Sequence, residues 1–422
     1  MNSELVYPRF RWFVFVTLCI VTASTAVALI APAPLMGPIA KALGISIGEA
    51  AGATMGTFNL FVAISALAGG WFLDKFGAVR VWAACLILII AGELLMPVFG
   101  SGFWGLNNLR VMEGLGTGPI MASTARIAAQ WFPVKERGIV TGVQGMAMGL
   151  GITLGFILAP AVFETTGNWA VTMAWLSFLP VIALVMTALI AFGPKAPGIA
   201  AAESNDAVGA ESAFMQAIKL PVTWMAILCV VMMSWTFQAI NDLIPGYIAV
   251  EAPVGLGKGP TAAGQFMTAF SMSFTIGALL SGFILEKVLK GQSKPLVFLG
   301  YLGTVVFTFA LRIPLVTSND TLLLICLILN GLLSAWCIPP SVAFIARNYP
   351  EHLTGKLGGL AQGIGVFGGT AGAFTGAYAI HATGYYDASI YIIVGIAILG
   401  CLSALGLNAP KDNVISHNGI AQ

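Results

Sequence analysis

The sequence predicts an all-α integral membrane protein of twelve transmembrane helices, arranged as two six-helix bundles related by an internal repeat. Three observations predict it. Apolar residues make up 58% of the 422 and charged residues only 9%, against the roughly 25% charged that a water-facing surface carries. The natural solvent of such a chain is lipid. Twelve stretches are apolar over the length that a bilayer core requires, about 20 residues. Glycines and a proline also recur in one register: Gly114, Pro133, Gly138, Gly142, Gly151, Gly155 and Gly167 return 217 residues later as Gly331, Pro350, Gly355, Gly359, Gly368, Gly372 and Gly384. A second echo, Gly70-Trp71-Phe72-Leu73-Asp74-Lys75, returns 212 residues later as Gly282-Phe283-Ile284-Leu285-Glu286-Lys287. Self-similarity of this kind marks a duplicated chain.

In chain order the spans fall at residues 12–32, 51–72, 81–98, 106–131, 139–162, 170–192, 222–247, 262–285, 295–315, 321–346, 357–380 and 388–408. The first, with Ala26-Val27-Ala28 near its end, looks like a cleavable leader, but many equal segments follow it and it reads as a transmembrane helix. Loops are short except from Gly193 to Leu220, where the chain turns polar and loses its periodicity. This divides the protein into an N-terminal bundle over 1–192, a cytoplasmic linker over 193–220 with a short surface helix toward its end, and a C-terminal bundle with a short tail over 221–422. With both termini cytoplasmic, 14 Lys and Arg lie on the cytoplasmic side and only Lys41 and Lys258 opposite, the bias that orients membrane proteins. The expected location is a bacterial inner membrane. A net charge of +2 gives nucleic-acid binding no electrostatic basis. Six isolated cysteines and three scattered histidines offer no metal-ligand spacing, disulfide framework or paired catalytic groups, so no cofactor, metal or enzymatic role is predicted.

The loop after the second span carries Gly70, Asp74, Lys75, Gly77 and Arg80. That is a full match to the pattern Gly-x-x-x-Asp-(Arg/Lys)-x-Gly-x-x-(Arg/Lys), and with the 6+6 arrangement nearly the whole chain resembles the major facilitator superfamily. Physically, Gly70 is expected to allow close helix contact and Gly77 a tight turn. Lys75 and Arg80 either anchor the topology or pair across the cytoplasmic mouth, and Asp74 is expected to gate by attraction to a neighbouring helix start. A narrower likeness lies in the fourth span: Arg110-x3-Gly114, then Arg126-x4-Trp131-Phe132-Pro133-x2-Glu136-Arg137, is similar to the anion:cation symporter branch, whose members carry organic anions, often with protons. The resemblance implies a transport-site role for Arg126. That branch commonly has ionisable residues in helix 1, whereas here none lies between Trp12 and Lys41, so its coupling scheme is not carried over. The fifth span lacks the Gly-Pro pair of the superfamily's antiporters.

An ionisable residue within a span costs about 2.5–3.5 kcal/mol on insertion scales, so each needs a reason. In the superfamily, helices 1, 4, 7 and 10 line the cavity. This selects Arg110, Glu113 and Arg126 on the fourth span, Gln238, Asn241 and Asp242 on the seventh, and Asn330, the repeat counterpart of Glu113, on the tenth. Glu93 and Arg312 are placed near an interface or in packing. Arg110 and Glu113, three apart, are helix neighbours; they either neutralise each other or couple transport through protonation of Glu113. Arg126 lies about 24 Å further along and about 160° around the helix, so the two arginines form no single clamp. Arg126 suits a carboxylate, sulfonate or phosphate, or else contacts the cytoplasmic gate. Asp242 precedes Pro245-Gly246, expected to break the helix and free carbonyls; it takes up a proton, holds Na⁺, or is hydrogen-bonded at the break. Trp235, Phe237 and Tyr247 either shape a pocket beside it or pack. Gln144 and Gln362, polar exceptions on the glycine-rich fifth and eleventh spans, are expected to bond neighbouring helices rather than substrate.

The sequence therefore predicts a secondary transporter, monomeric and bathed in lipid, moving a small organic anion by alternating access, with H⁺ as the preferred driver and Na⁺ as its alternative. Arg126, Gln238, Asn241 and Asn330 would bind substrate, Asp242, Glu113 and Arg110 would couple the ion, and Gly70, Asp74, Lys75, Gly77 and Arg80 would gate. An exporter of a neutral or cationic compound and a transport-dead receptor are the alternatives.

Overall fold

The computed structural model describes residues 8–194, 196, 214–349 and 351–408. Every regular element among them is helical. They form twelve segments: α1 (Arg11–Leu43) and α2 (Ile47–Phe76), α3 (Ala78–Leu94), α4 (Phe103–Ala122, continued past Ser123 by Thr124–Trp131), α5 (Val134–Thr166), α6 (Trp169–Ala191), α7 (Pro221–Ala249), α8 (Gly259–Val288), α9 (Ser293–Ala310) and α10 (Asp320–Ile345), α11 (Glu351–Thr383) and α12 (Asp387–Leu405). Nine qualify as spans by length and hydropathy alone. The others are α3, only 17 residues long, α4, which carries Arg110 and Glu113, and glycine-rich α11. Large apolar side chains such as Leu67, Trp104, Trp175 and Leu402 are exposed, as lipid-facing walls require. Of the expected linker, Lys195 and residues 197–213 lie outside the described residues, as do Pro350, Lys411 and His417. Residues 214–219 form the short helix expected there, anchored by Phe214 and Ala217 in an apolar cluster with Tyr349 and Leu353.

Chain breakers set the local geometry. Gly77, at φ 81°, makes the turn from α2 to α3 that an L side chain would resist. Within α1, regular helix stops at Ile30 and resumes at Met36 after a 3-10 turn over Ala33–Leu35. Pro32 and Pro34 cannot donate to the preceding turn. In α2, Gly52–Gly56 forms a π turn. Pro245 does not break α7 as expected: the helix runs unbroken from Pro221 to Ala249. A proline φ near −65° is helical, so the helix continues past it despite the lost N–H and the crowding of the ring against the preceding turn.

Two compact units form. The first holds residues 1–201 together with Asn241–Ser271 and Ala377–Tyr386; the second holds Ala202–Ile240, Met272–Gly376 and Asp387–Gln422. In the first unit α2 and α4 share the closest seam. A Cβ at Gly118 would lie 2.5 Å from Val62 O and Ala66 N, and one at Gly69 2.9 Å from Pro119 Cα. The close contact expected of Gly70 is thus made one residue earlier, because Gly70 faces open space. The repeat reappears in packing: Gly151 of α5 lies against Ala23 of α1, and its counterpart Gly368 of α11 against Val231 of α7. The seam yields a contrast in sign. Gly118→Val should lower stability by about 1–3 kcal/mol through overpacking, whereas Gly70→Ala should raise it by about 0.5–1 kcal/mol by restricting the unfolded chain. Thermal unfolding of the two purified variants checks both.

Candidate functional site

The most densely bonded polar centre lies in the first unit around Arg110. Its side chain and that of Glu113 are each 1% exposed and form an ion pair. Arg110 Nη1 also donates to Ala28 O at 2.9 Å, Nη2 to Leu29 O at 3.2 Å and Nε to Thr54 O at 2.8 Å, and its guanidinium lies 4.3 Å from the Phe58 ring centroid. The chain explains these acceptors. Ala28 O would normally accept from the residue four ahead, which is Pro32, so the end of the α1 helix leaves it open. Thr54 O belongs to the π turn of α2, where the ladder is displaced. A cation placed at a helix C-terminus also meets the negative end of the dipole. The predicted helix-neighbour pairing thus holds, and these carbonyls fix the guanidinium rigidly. Glu93, expected near an interface or in packing, ends α3 and is 3% exposed. It follows Gly92, which lies directly against the Glu113 side chain.

Asp242 is fully buried and accepts from Asn59 Nδ2 of α2 at 3.1 Å; Asn59 Nδ2 also donates to Met55 O at 2.9 Å. Sequence reasoning missed Asn59, whose signal was a lone amide inside an apolar span. Asn241 is buried beside Asp242. Gln238, one turn earlier on α7, packs beside Gly369 of α11. Asn330 is committed at both ends of its amide: Nδ2 donates to Thr308 Oγ1 at 3.1 Å, and Oδ1 accepts from Ser334 Oγ at 3.0 Å. It therefore ties α9 to α10. Of the aromatic residues near Asp242, Phe237 packs on Phe274 and Tyr247 on Tyr386. Gln144 bonds Thr22 on α1 at 3.3 Å, a neighbouring helix as expected.

Asp74 pairs with Arg126, so its partner is a guanidinium rather than a helix start. The acid is largely exposed and the arginine mostly covered. In the second unit Glu286, the repeat counterpart of Asp74, pairs with Arg347. Lys75 lies 4.8 Å from the Trp71 ring centroid, and Arg80 is exposed. Arg137 donates to Ala129 O and Phe132 O, both at 3.1 Å. Ala129 O lost its donor to Pro133, so an arginine again completes a helix end that a proline opened. Arg312 forms a bidentate pair with Asp387 at the start of α12, with 2.6 Å contacts. Among the described residues, no three His, Cys, Asp or Glu gather as metal ligands.

Twelve helical segments with a glycine register repeated in their packing, charged groups held inside the spans and an acid–arginine pair in each repeat define a multi-pass membrane protein built on a duplication. Residues 16–311 and 255–418 match the family described as Major Facilitator Superfamily, and the chain belongs to it. It is 22% identical to the probable galactarate/D-glucarate transporter GudP of Bacillus subtilis (strain 168), over 96% of this chain and 93% of that protein. It is 24% identical to the cis,cis-muconate transport protein of Acinetobacter baylyi (strain ATCC 33305 / BD413 / ADP1), over 74% of this chain and 75% of that protein. The fold is similar to the crystal structure of a bacterial homolog of the human lysosomal transporter Spinster in an inward-facing, unoccupied conformation, with a TM-score of 0.76 and 14% identity over 95% of this chain and 97% of that one.

Proposed function

We propose that this transporter moves a small organic anion, a carboxylate or related acid, in symport with protons. The observation that carries the reading is the match along most of the chain to proteins described as carriers of galactarate/D-glucarate and cis,cis-muconate, all of them dicarboxylates. Transport would proceed by alternating access of the two halves, 1–192 and 221–422, with both termini cytoplasmic as the Lys and Arg distribution favours. Arg126 is the proposed anion contact, with Gln238 and Asn241 on α7 as polar partners. Asp242 and the Arg110–Glu113 pair are the proposed coupling groups. The residues from Gly70 to Arg80 would gate.

Uptake into proteoliposomes under an imposed pH gradient, with labelled mono- and dicarboxylates and sulfonates, tests this. At least one anion should accumulate. Arg126→Ala should raise its half-saturation concentration about ten- to hundredfold, the range set by about 1.5–3 kcal/mol for hydrogen bonds to a charged group. If no anion moves, the substrate class is wrong. The Asp74 ion pair favours a second role for Arg126, holding the cytoplasmic gate. Under that role Arg126→Ala leaves half-saturation unchanged and alters turnover, and Asp74→Asn does the same.

A further inference from the structure

The polar centre between α3 and α4 has more acid than base. Glu93 and Glu113 are both buried beyond nine-tenths, and the one guanidinium among them, Arg110, is bound to Glu113 Oε2. Two carboxylate oxygens, Glu93 Oε2 and Glu113 Oε1, are buried with no hydrogen-bond partner among the described residues. Glu113 Oε1 is turned toward α3: a Cβ built on Gly92 would lie 3.0 Å from it, and Glu93 is the next residue. An ionised carboxylate only accepts, so neither acid can satisfy the other while both are charged. A proton on either one creates the donor that the pair lacks and brings the charge of the centre to zero.

Among the described residues, Arg110 is the cation bonded to this centre. From α1 it receives the Ala28 and Leu29 carbonyls, from α2 the Thr54 carbonyl and the Phe58 ring. The ionisable groups of α1 (Arg11, Lys41) and α2 (Glu49, Asp74, Lys75) lie toward the segment ends, as does Arg126 on α4, and α6 has no charged residue. The second half makes the comparison. Asn330, the counterpart of Glu113, donates to Thr308 on α9, two residues from the counterpart of Glu93 in the 217-residue register. There a neutral amide and hydroxyls satisfy one another. In the first half Glu113 takes the place of Asn330 and Ala91 that of Thr308, so no hydroxyl stands at that position for Glu113 Oε1, which has no hydrogen-bond partner among the described residues.

We propose that Glu93 and Glu113 share one proton against Arg110, so that the α3–α4 contact is a proton-binding site and Glu93 belongs to the coupling machinery. The transport part rests on the proton-symport reading above; the shared proton does not. Infrared spectroscopy of the purified protein at neutral pH tests the site, since a protonated carboxyl has its own carbonyl-stretch band. Wild type should show the band. Glu93→Gln and Glu113→Gln should each lose it, because Arg110 then neutralises the single remaining carboxylate. Asp242→Asn serves as a control and should retain it. Absence of the band in wild type, or its survival in either glutamine variant, overturns the proposal. Glu93→Asp, which keeps the acid, should keep the band even if the glutamine variant fails to fold.

Transport supplies the second readout. Glu93→Gln should retain counterflow, which needs no gradient, and lose the accumulation that an imposed gradient drives, about tenfold per pH unit for one coupled proton. A merely structural role would lower both together and would overturn the assignment of Glu93. A wild type that shows the band but no proton-driven uptake removes the symport reading and leaves the proton site standing.

Discussion

Arg110→Ala should leave little folded protein. The guanidinium is 1% exposed and holds Glu113 together with three backbone carbonyls from two other helices. Removing one partner of a buried ion pair typically costs about 3–5 kcal/mol, because the other charge stays buried and unpaired. The carbonyls of Ala28 and Leu29 add to the loss, since Pro32 and the helix end already deny them a backbone donor. Arg110→Lys should fall in between, since an ammonium retains the charge but lacks the planar fork that reaches three directions at once. Combining Arg110→Ala with Glu113→Gln should recover about 0.5–3 kcal/mol, the share due to the orphaned carboxylate. Thermal unfolding and monodispersity in detergent measure all three. An Arg110→Ala protein that unfolds at the wild-type temperature would contradict the anchoring role.

This centre shows how far the sequence could be read. The Arg110–Glu113 pair was legible because a three-residue spacing puts two side chains on one helix face. Its acceptors were legible only in hindsight: Pro32 and Pro34 announce open carbonyls at the end of the first helix, but nothing in their spacing says which donor arrives. Glu93 lies on the third helix, outside the cavity-lining set that the superfamily implies, although the cost of an acid inside a span applies to it equally. The twelve segments and the repeat were readable because hydropathy acts within each segment and glycine spacing survives duplication. Partners distant in sequence were not. Asp74 meets Arg126 across 52 residues and Asp242 meets Asn59 across 183, and pairings of that kind are decided by packing. The same holds for the grouping of Asn241–Ser271 and Ala377–Tyr386 with the first unit. The continuity of α7 through Pro245 shows the opposite limit: a residue that disfavours helix locally is carried by the helix on either side of it.

Asp242→Asn should separate exchange from accumulation. The carboxylate is fully buried on α7 and accepts from Asn59. An asparagine keeps an acceptor oxygen for that bond and nearly the same volume, so the folded state should survive. What it cannot do is gain and lose a proton. If Asp242 must be protonated on one side of the membrane and deprotonated on the other, the variant should still exchange labelled for unlabelled solute. It should no longer concentrate solute against its gradient. The size of the effect is set by the driving force: one pH unit is worth about 1.4 kcal/mol per proton, so each coupled proton sustains about a tenfold concentration ratio per unit. Wild type should approach that ratio and Asp242→Asn should settle near equality. Asn59→Ala offers the complementary case. It removes the amide from which Asp242 accepts but keeps the carboxyl that binds the proton, so accumulation should persist. Undiminished accumulation by Asp242→Asn would move the coupling entirely to the first-half acids. Loss of exchange as well would make Asp242 a binding or packing residue instead.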